Sequence, residues 1–60
     1  MDSKEIINVL ETNGWMLVAV KGSHFQFRHH SKTGRVTVPH PRKDLPKGTV
    51  NSILKQAELK

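Results

Sequence analysis

The chain has 60 residues, no cysteine, and ten Lys and Arg against five Asp and Glu, for a formal charge of +5. A single domain of this size buries only about 60% of the surface its unfolded form exposes, which excludes a separate cofactor-binding domain. Lack of cysteine excludes disulfide staples, thiolate nucleophiles and cysteine-ligated zinc, and the apolar run Met16 to Val20 is far below the roughly 20 residues that span a bilayer.

The N-terminal segment is polar, of mixed charge, and lacks the apolar core of a signal peptide, so a cytoplasmic protein with no membrane association is expected. Asp2 or Ser3 can cap a first helix. Glu5 lies three residues after Asp2 and completes a capping box if Asp2 is the cap. Ile6, Ile7 and Leu10 form an apolar stripe, and Asn13-Gly14 offers a left-handed stop, predicting a helix over roughly Ser3 to Asn13. Trp15 to Val20 has strand composition and Lys21-Gly22-Ser23 is a turn. His24 to His29 alternates, with Phe25, Phe27 and His29 on one side and His24, Gln26 and Arg28 on the other. His30 to Gly34 reads as the next turn, with Gly34 free to take positive φ, and Arg35 to Val38 as a third strand ended by Pro39 and Pro41. Val50, Ile53, Leu54 and Ala57 at helical spacing predict a second helix over roughly Lys47 to Ala57. The expected fold is α+β, in the order αβββα. Its three-stranded antiparallel sheet carries both helices on one face, leaving the other face open and polar.

Charge is concentrated in the middle of the chain. From Lys21 to Lys47 there are seven Lys and Arg against one acid, Asp44. Phosphate contact by such a segment releases condensed counterions, which makes nucleic acid the leading partner class; a solvated surface or an acidic protein partner is the alternative.

Four histidines carry the chemistry that remains. His24 follows two small residues, Gly22 and Ser23, that let a phosphate approach closely, and an imidazole there can take a proton from a ribose 2′-hydroxyl. Attack of that oxygen on the adjacent phosphate needs no metal and yields a 2′,3′-cyclic phosphate. His40, between two prolines, is a candidate second proton-transfer group. His29 and His30 are adjacent, and on a continuing strand they point to opposite faces. The spacing of the four matches no compact zinc motif, so neither metal nor cofactor is expected. Phe25 and Phe27 sit two apart, as base-stacking platforms require, but burial in a core with few other large apolar groups is the stronger claim on them. Trp15 is read as a core lid, and Gly48-Thr49 as a plain helix start that could hold a phosphate.

Gly22-Ser23-His24 with Phe27, then Val38-Pro39-His40, then Lys47-Gly48-Thr49-Val50 through Ile53-Leu54-Lys55-Gln56-Ala57 closely resemble the HicA family of toxins from bacterial toxin–antitoxin modules. The resemblance runs from the first helix nearly to the last residue. It implies a double-stranded-RNA-binding-domain-like αβββα fold and an endoribonuclease, an mRNA interferase, that cuts mRNA and blocks translation and growth. It also implies inhibition by a HicB antitoxin, with the toxin monomeric when free. The family's active-site histidine, in its Gly-Ser-His motif, falls on His24. The motif fixes no second catalytic residue; from chemistry and strand alternation, Lys21, Gly22, Ser23, Arg28, Arg35 and His40 are the candidate RNA contacts. A non-catalytic RNA-binding module of the same fold is the alternative function.

Overall fold

The computed structural model describes residues 1–60 as α1 (Ser3–Thr12), β1 (Trp15–Lys21), β2 (His24–His29), β3 (Lys32–Pro39) and α2 (Lys47–Gln56). The strands form one antiparallel sheet in the order β1-β2-β3. Both helices pack on one face of it: Ile6 and Leu10 of α1 and Ile53 of α2 join Trp15, Phe27, Val36, Val38, Leu45 and Ala57 in a single buried core.

Local chemistry sets the ends of α1. The Asp2 carboxylate accepts from the Glu5 N–H at 2.8 Å and the Glu5 carboxylate accepts from the Asp2 N–H at 3.1 Å, so the capping box is complete. Gly14, at φ +90°, turns the chain from the helix into β1. The second helix starts on Pro46 without a side-chain cap.

Each hairpin departs from the regular pattern expected. Lys21 pairs with His24, so Gly22-Ser23 is a two-residue turn; Gly22 alone has positive φ, at 59°, the φ pattern of a type II′ turn. The second turn is also two residues, His30-Ser31, because His29 pairs with Lys32; it is shorter than the His30 to Gly34 turn read from the sequence. Gly34 does take positive φ, 85°, but inside β3: Thr33, Gly34 and Arg35 together lie opposite the single residue Arg28. Pro39, expected to end the sheet, is its last paired residue, opposite His24. A further bulge lies in β1, where Val18 is an extra residue between Leu17, opposite Phe27, and Ala19, opposite Gln26.

The β1 bulge has a large positional effect. Trp15 and Leu17 lie on the helix-covered side, and strict alternation would put Lys21 there too. The inserted residue reverses the parity, so Ala19 and Lys21 share the open face with Gln26 and His24.

One corner of the fold is held by His29. Its Nε2–H donates to the Asn13 carbonyl at 3.0 Å, and its Nδ1 accepts from the Ser31 N–H at 3.1 Å and lies 3.0 Å from the Ser31 hydroxyl, which selects the neutral Nε2–H tautomer. The ring meets Trp15 edge-on, with centroids 5.3 Å apart. Trp15 is buried as expected, and its indole N–H has no partner. His30 does not oppose His29 across the sheet: the strand has ended, and the two rings stack with centroids 4.7 Å apart.

A Cβ on Gly14 would stand 2.7 Å from His29 Nε2, whereas one on Gly22 meets nothing within 4 Å. Gly22→Ala therefore carries only the left-handed backbone cost, about 1–2 kcal/mol. Gly14→Ala adds displacement of the His29 ring and loss of its bonds, for at least about 1 kcal/mol more by urea denaturation. In a His29→Ala background the two losses should converge, and equal losses in the wild-type background would show that the His29 clip contributes nothing.

Candidate nucleic-acid interface

The open face of the sheet is built by register. Lys21 stands directly opposite His24, Met16 opposite Arg28, and Gln26 between Ala19 and Thr37. Directly opposed side chains have Cβ atoms about 4.5–5.5 Å apart, which places the Lys21 ammonium within reach of a group bound at the His24 imidazole. Arg35 reaches this face from the β3 bulge and donates to the Gln26 side-chain oxygen. The resulting surface carries one exposed imidazole and three exposed cations: His24, Lys21, Arg28 and Arg35. None of the three cations is in an ion pair, since the one ion pair of the molecule joins the N-terminal amino group to Asp44 at 3.8 Å.

His24 itself is exposed at the start of β2, and its ring makes no hydrogen bond within the chain. Gly22 and Ser23 are also exposed, so the approach to the imidazole from the turn is open. On the other face, Phe25, which follows His24, is half-buried and Phe27 is fully buried; neither presents a stacking platform beside His24.

His40 occupies a different place from the one expected. Its ring packs edge-on against Phe25, centroids 4.7 Å apart, on the helix-covered side, whereas His24 points to the open side. The two histidines are therefore not aimed at one reacting bond, and a general acid at His40 is not what the geometry provides. The physical reason is Ser3, the one buried polar residue. Its hydroxyl lies 2.6 Å from His40 Nδ1, accepts from the Arg42 N–H at 2.8 Å, and lies 3.2 Å from the Arg42 carbonyl. All three contacts are met when His40 Nδ1–H donates to Ser3 and the Ser3 hydroxyl donates to Arg42, because a hydroxyl has one proton and two acceptor positions. The His40 N–H in turn donates to the Ser23 carbonyl at 2.8 Å, tying this loop to the turn that carries His24.

Sequence reasoning did not single out Ser3 beyond helix capping, nor Leu45, which is buried and donates its N–H to the Met1 carbonyl. An apolar residue alone between Asp44 and Pro46 was the available clue for Leu45. The other central cations are dispersed: Lys32 reaches the Ala57 carbonyl at the end of α2, and Arg42 and Lys43 line a cleft beside α1. No group of three or more His, Asp or Glu side chains is arranged to hold a metal ion.

The αβββα order, with one face covered by helices and the other open and basic, defines an α+β domain. The family model described as "HicA toxin of bacterial toxin-antitoxin" matches residues 3–59. The chain belongs to this family of toxins. A search of curated proteins finds no match. Among solved structures, a chain of the "HicA3 and HicB3 toxin-antitoxin complex" is similar over 100% of this chain and 97% of that one, with 34% identity and a TM-score of 0.79.

Ser3→Ala leaves the Arg42 N–H and the His40 Nδ1–H without their buried acceptor, and a loss of about 1–3 kcal/mol is expected in denaturation. Nitrogen-15 NMR should show His40 as the Nδ1–H tautomer in the wild type and a tautomer mixture in the variant. A wild-type ring protonated at Nε2 alone would contradict the assignment.

Proposed function

We propose that this toxin is an endoribonuclease that cuts mRNA, with His24 as its proton-transfer residue, and that a HicB antitoxin neutralises it. One observation carries the reading: the open imidazole of His24, from the Gly-Ser-His turn, stands opposite Lys21 on a basic face free of acidic side chains. An RNA strand lying along this face meets Lys21, Arg28 and Arg35. Gly22 and Ser23 lack the bulk to keep its backbone from the imidazole.

In the reaction, neutral His24 takes the proton of a ribose 2′-hydroxyl, and the 2′-oxygen bonds to the adjacent phosphorus. The Lys21 ammonium, opposite His24, balances the charge that builds on the phosphoryl oxygens. The bond from phosphorus to the 5′-oxygen breaks, and that oxygen takes a proton from water or from the imidazolium just formed. The products are a 2′,3′-cyclic phosphate and a 5′-hydroxyl. No step uses a metal.

Membership of the family and the similarity to the HicA3–HicB3 complex support HicB as the partner. A protein partner also suits β1, a sheet edge whose Met16, Leu17, Val18 and Val20 are 45–66% exposed. No helix is long and apolar enough to cross a membrane, and the proposed site of action is the cytoplasm, where mRNA is translated.

A second reading rests on the freedom of the His24 ring, which makes no orienting hydrogen bond while His29 and His40 do. In that reading the domain binds RNA without cutting it. His24→Ala separates the two. The catalytic reading expects cleavage to fall about 10²–10⁴-fold and growth inhibition to be lost, with folding and antitoxin binding unchanged. Cleavage at the wild-type rate in the variant, measured on purified protein, contradicts the role of His24; no cleavage by the wild type, with or without ribosomes, favours the binding module.

A further inference from the structure

Three cations have no place on the open face and no partner elsewhere. Lys4, in the first turn of α1, and Arg42 and Lys43, in the loop after β3, line a cleft of about 380 Å³ together with Asp2, Ser3, His40 and Pro41, the proline being the one apolar side chain in its wall. The acid on this wall is Asp2, whose carboxylate is held by the Glu5 N–H in the helix cap. Lys4, Arg42 and Lys43 form no ion pair and no side-chain hydrogen bond. The wall behind them is fixed. The Arg42 backbone bonds to Ser3 through both its N–H and its carbonyl, and His40 is locked by Ser3 on one side and by the Ser23 carbonyl on the other.

Charges of one sign on a pre-formed concave wall raise the local concentration of anions. The bond from the His40 N–H to the Ser23 carbonyl joins this wall directly to the Gly22-Ser23 turn, so a strand at His24 has only to pass the sheet end to reach the cleft.

We propose that this cleft is a second phosphate-binding point, in which Lys4, Arg42 and Lys43 hold an internal backbone phosphate of the RNA strand engaged at His24. The inference rests on the RNA-directed reading of the open face. His40 is here a positioning residue: with Nδ1–H committed to Ser3, it sets the loop that presents Arg42 and Lys43. The cleft adds affinity and register, while proton transfer stays with His24.

The test measures RNA affinity as a function of salt in the non-cleaving His24→Ala protein, with Arg42→Gln and Lys43→Gln added together. Lys55→Gln with Lys60→Gln serves as a control of equal charge change on the far helix and tail. Loss of this one phosphate contact lowers the slope of log affinity against log salt by about 0.7 for a single strand, and a tenfold weaker affinity at moderate salt is expected. The control pair should leave both unchanged. An unchanged slope in the cleft variant, or an equal loss in the control, overturns the proposal. A 5′-phosphorylated and a 5′-hydroxyl oligonucleotide of one sequence should bind alike. A preference for the phosphorylated end that disappears in the cleft variant would overturn the internal-phosphate assignment in favour of a chain end. Cleavage by the otherwise wild-type protein, assayed on the same RNA, reports separately on the endoribonuclease reading: absent cleavage with an intact slope effect removes that reading and leaves the cleft.

Discussion

Side-chain parity across three short strands is the constraint on which the rest of this molecule depends. A sheet this small has one face to build a core and one to meet a partner, and a one-residue slip exchanges the two. Phe27, Val36 and Val38, with Trp15 of β1, settle which face is buried, because they are the large apolar side chains of the sheet that lie under α1 and α2. Everything polar on the alternate positions then faces outward by necessity, His24 and Arg28 among them. The bulge at Val18 lets β1 keep Trp15 in the core while Lys21 faces the open side. The bulge at Thr33 to Arg35 adds two residues and so leaves the parity of β3 unchanged; it shifts Val36 and Val38 along the strand to stand opposite Phe27 and Phe25, while Arg35 reaches the open face.

The histidines divide by their hydrogen bonds. His29 uses both ring nitrogens to hold the helix stop against the second turn, and His40 gives one to a buried serine. Both are parts of the framework. His24 uses neither, and it sits where the framework ends. A histidine available for proton transfer is one whose ring the fold has left uncommitted, and by that standard only His24 combines an open ring with a cationic neighbour across the strand pair. The basic segment divides in the same way: Lys32 closes the end of α2, while Lys21, Arg28 and Arg35 remain on the open face.

Much of this was legible in the sequence because it is local. The Asp2–Glu5 box, the Gly14 stop and the alternation of His24 to His29 each depend on residues within a few positions of one another, and each predicts its element. The Gly-Ser-His turn and the resemblance it carries located the candidate site as well. What stayed hidden is non-local or is a matter of parity. A bulge leaves no mark in a strand as uniformly apolar as Met16 to Val20. Gly34 was read as a turn residue when its positive φ serves a bulge. The displacement of His40 from the His24 side follows from a contact between residues 3 and 40, which no periodicity reveals.

The central claim is that His24 on the open face performs proton transfer in cleavage by the ribose 2′-hydroxyl, and the ends of the products test it most directly. Purified protein on a labelled mRNA, in the presence of EDTA, should leave 2′,3′-cyclic phosphate and 5′-hydroxyl ends, at a rate that falls about 10²–10⁴-fold in His24→Ala. Products ending in 3′-hydroxyl and 5′-phosphate, or cutting that EDTA abolishes, would contradict the account.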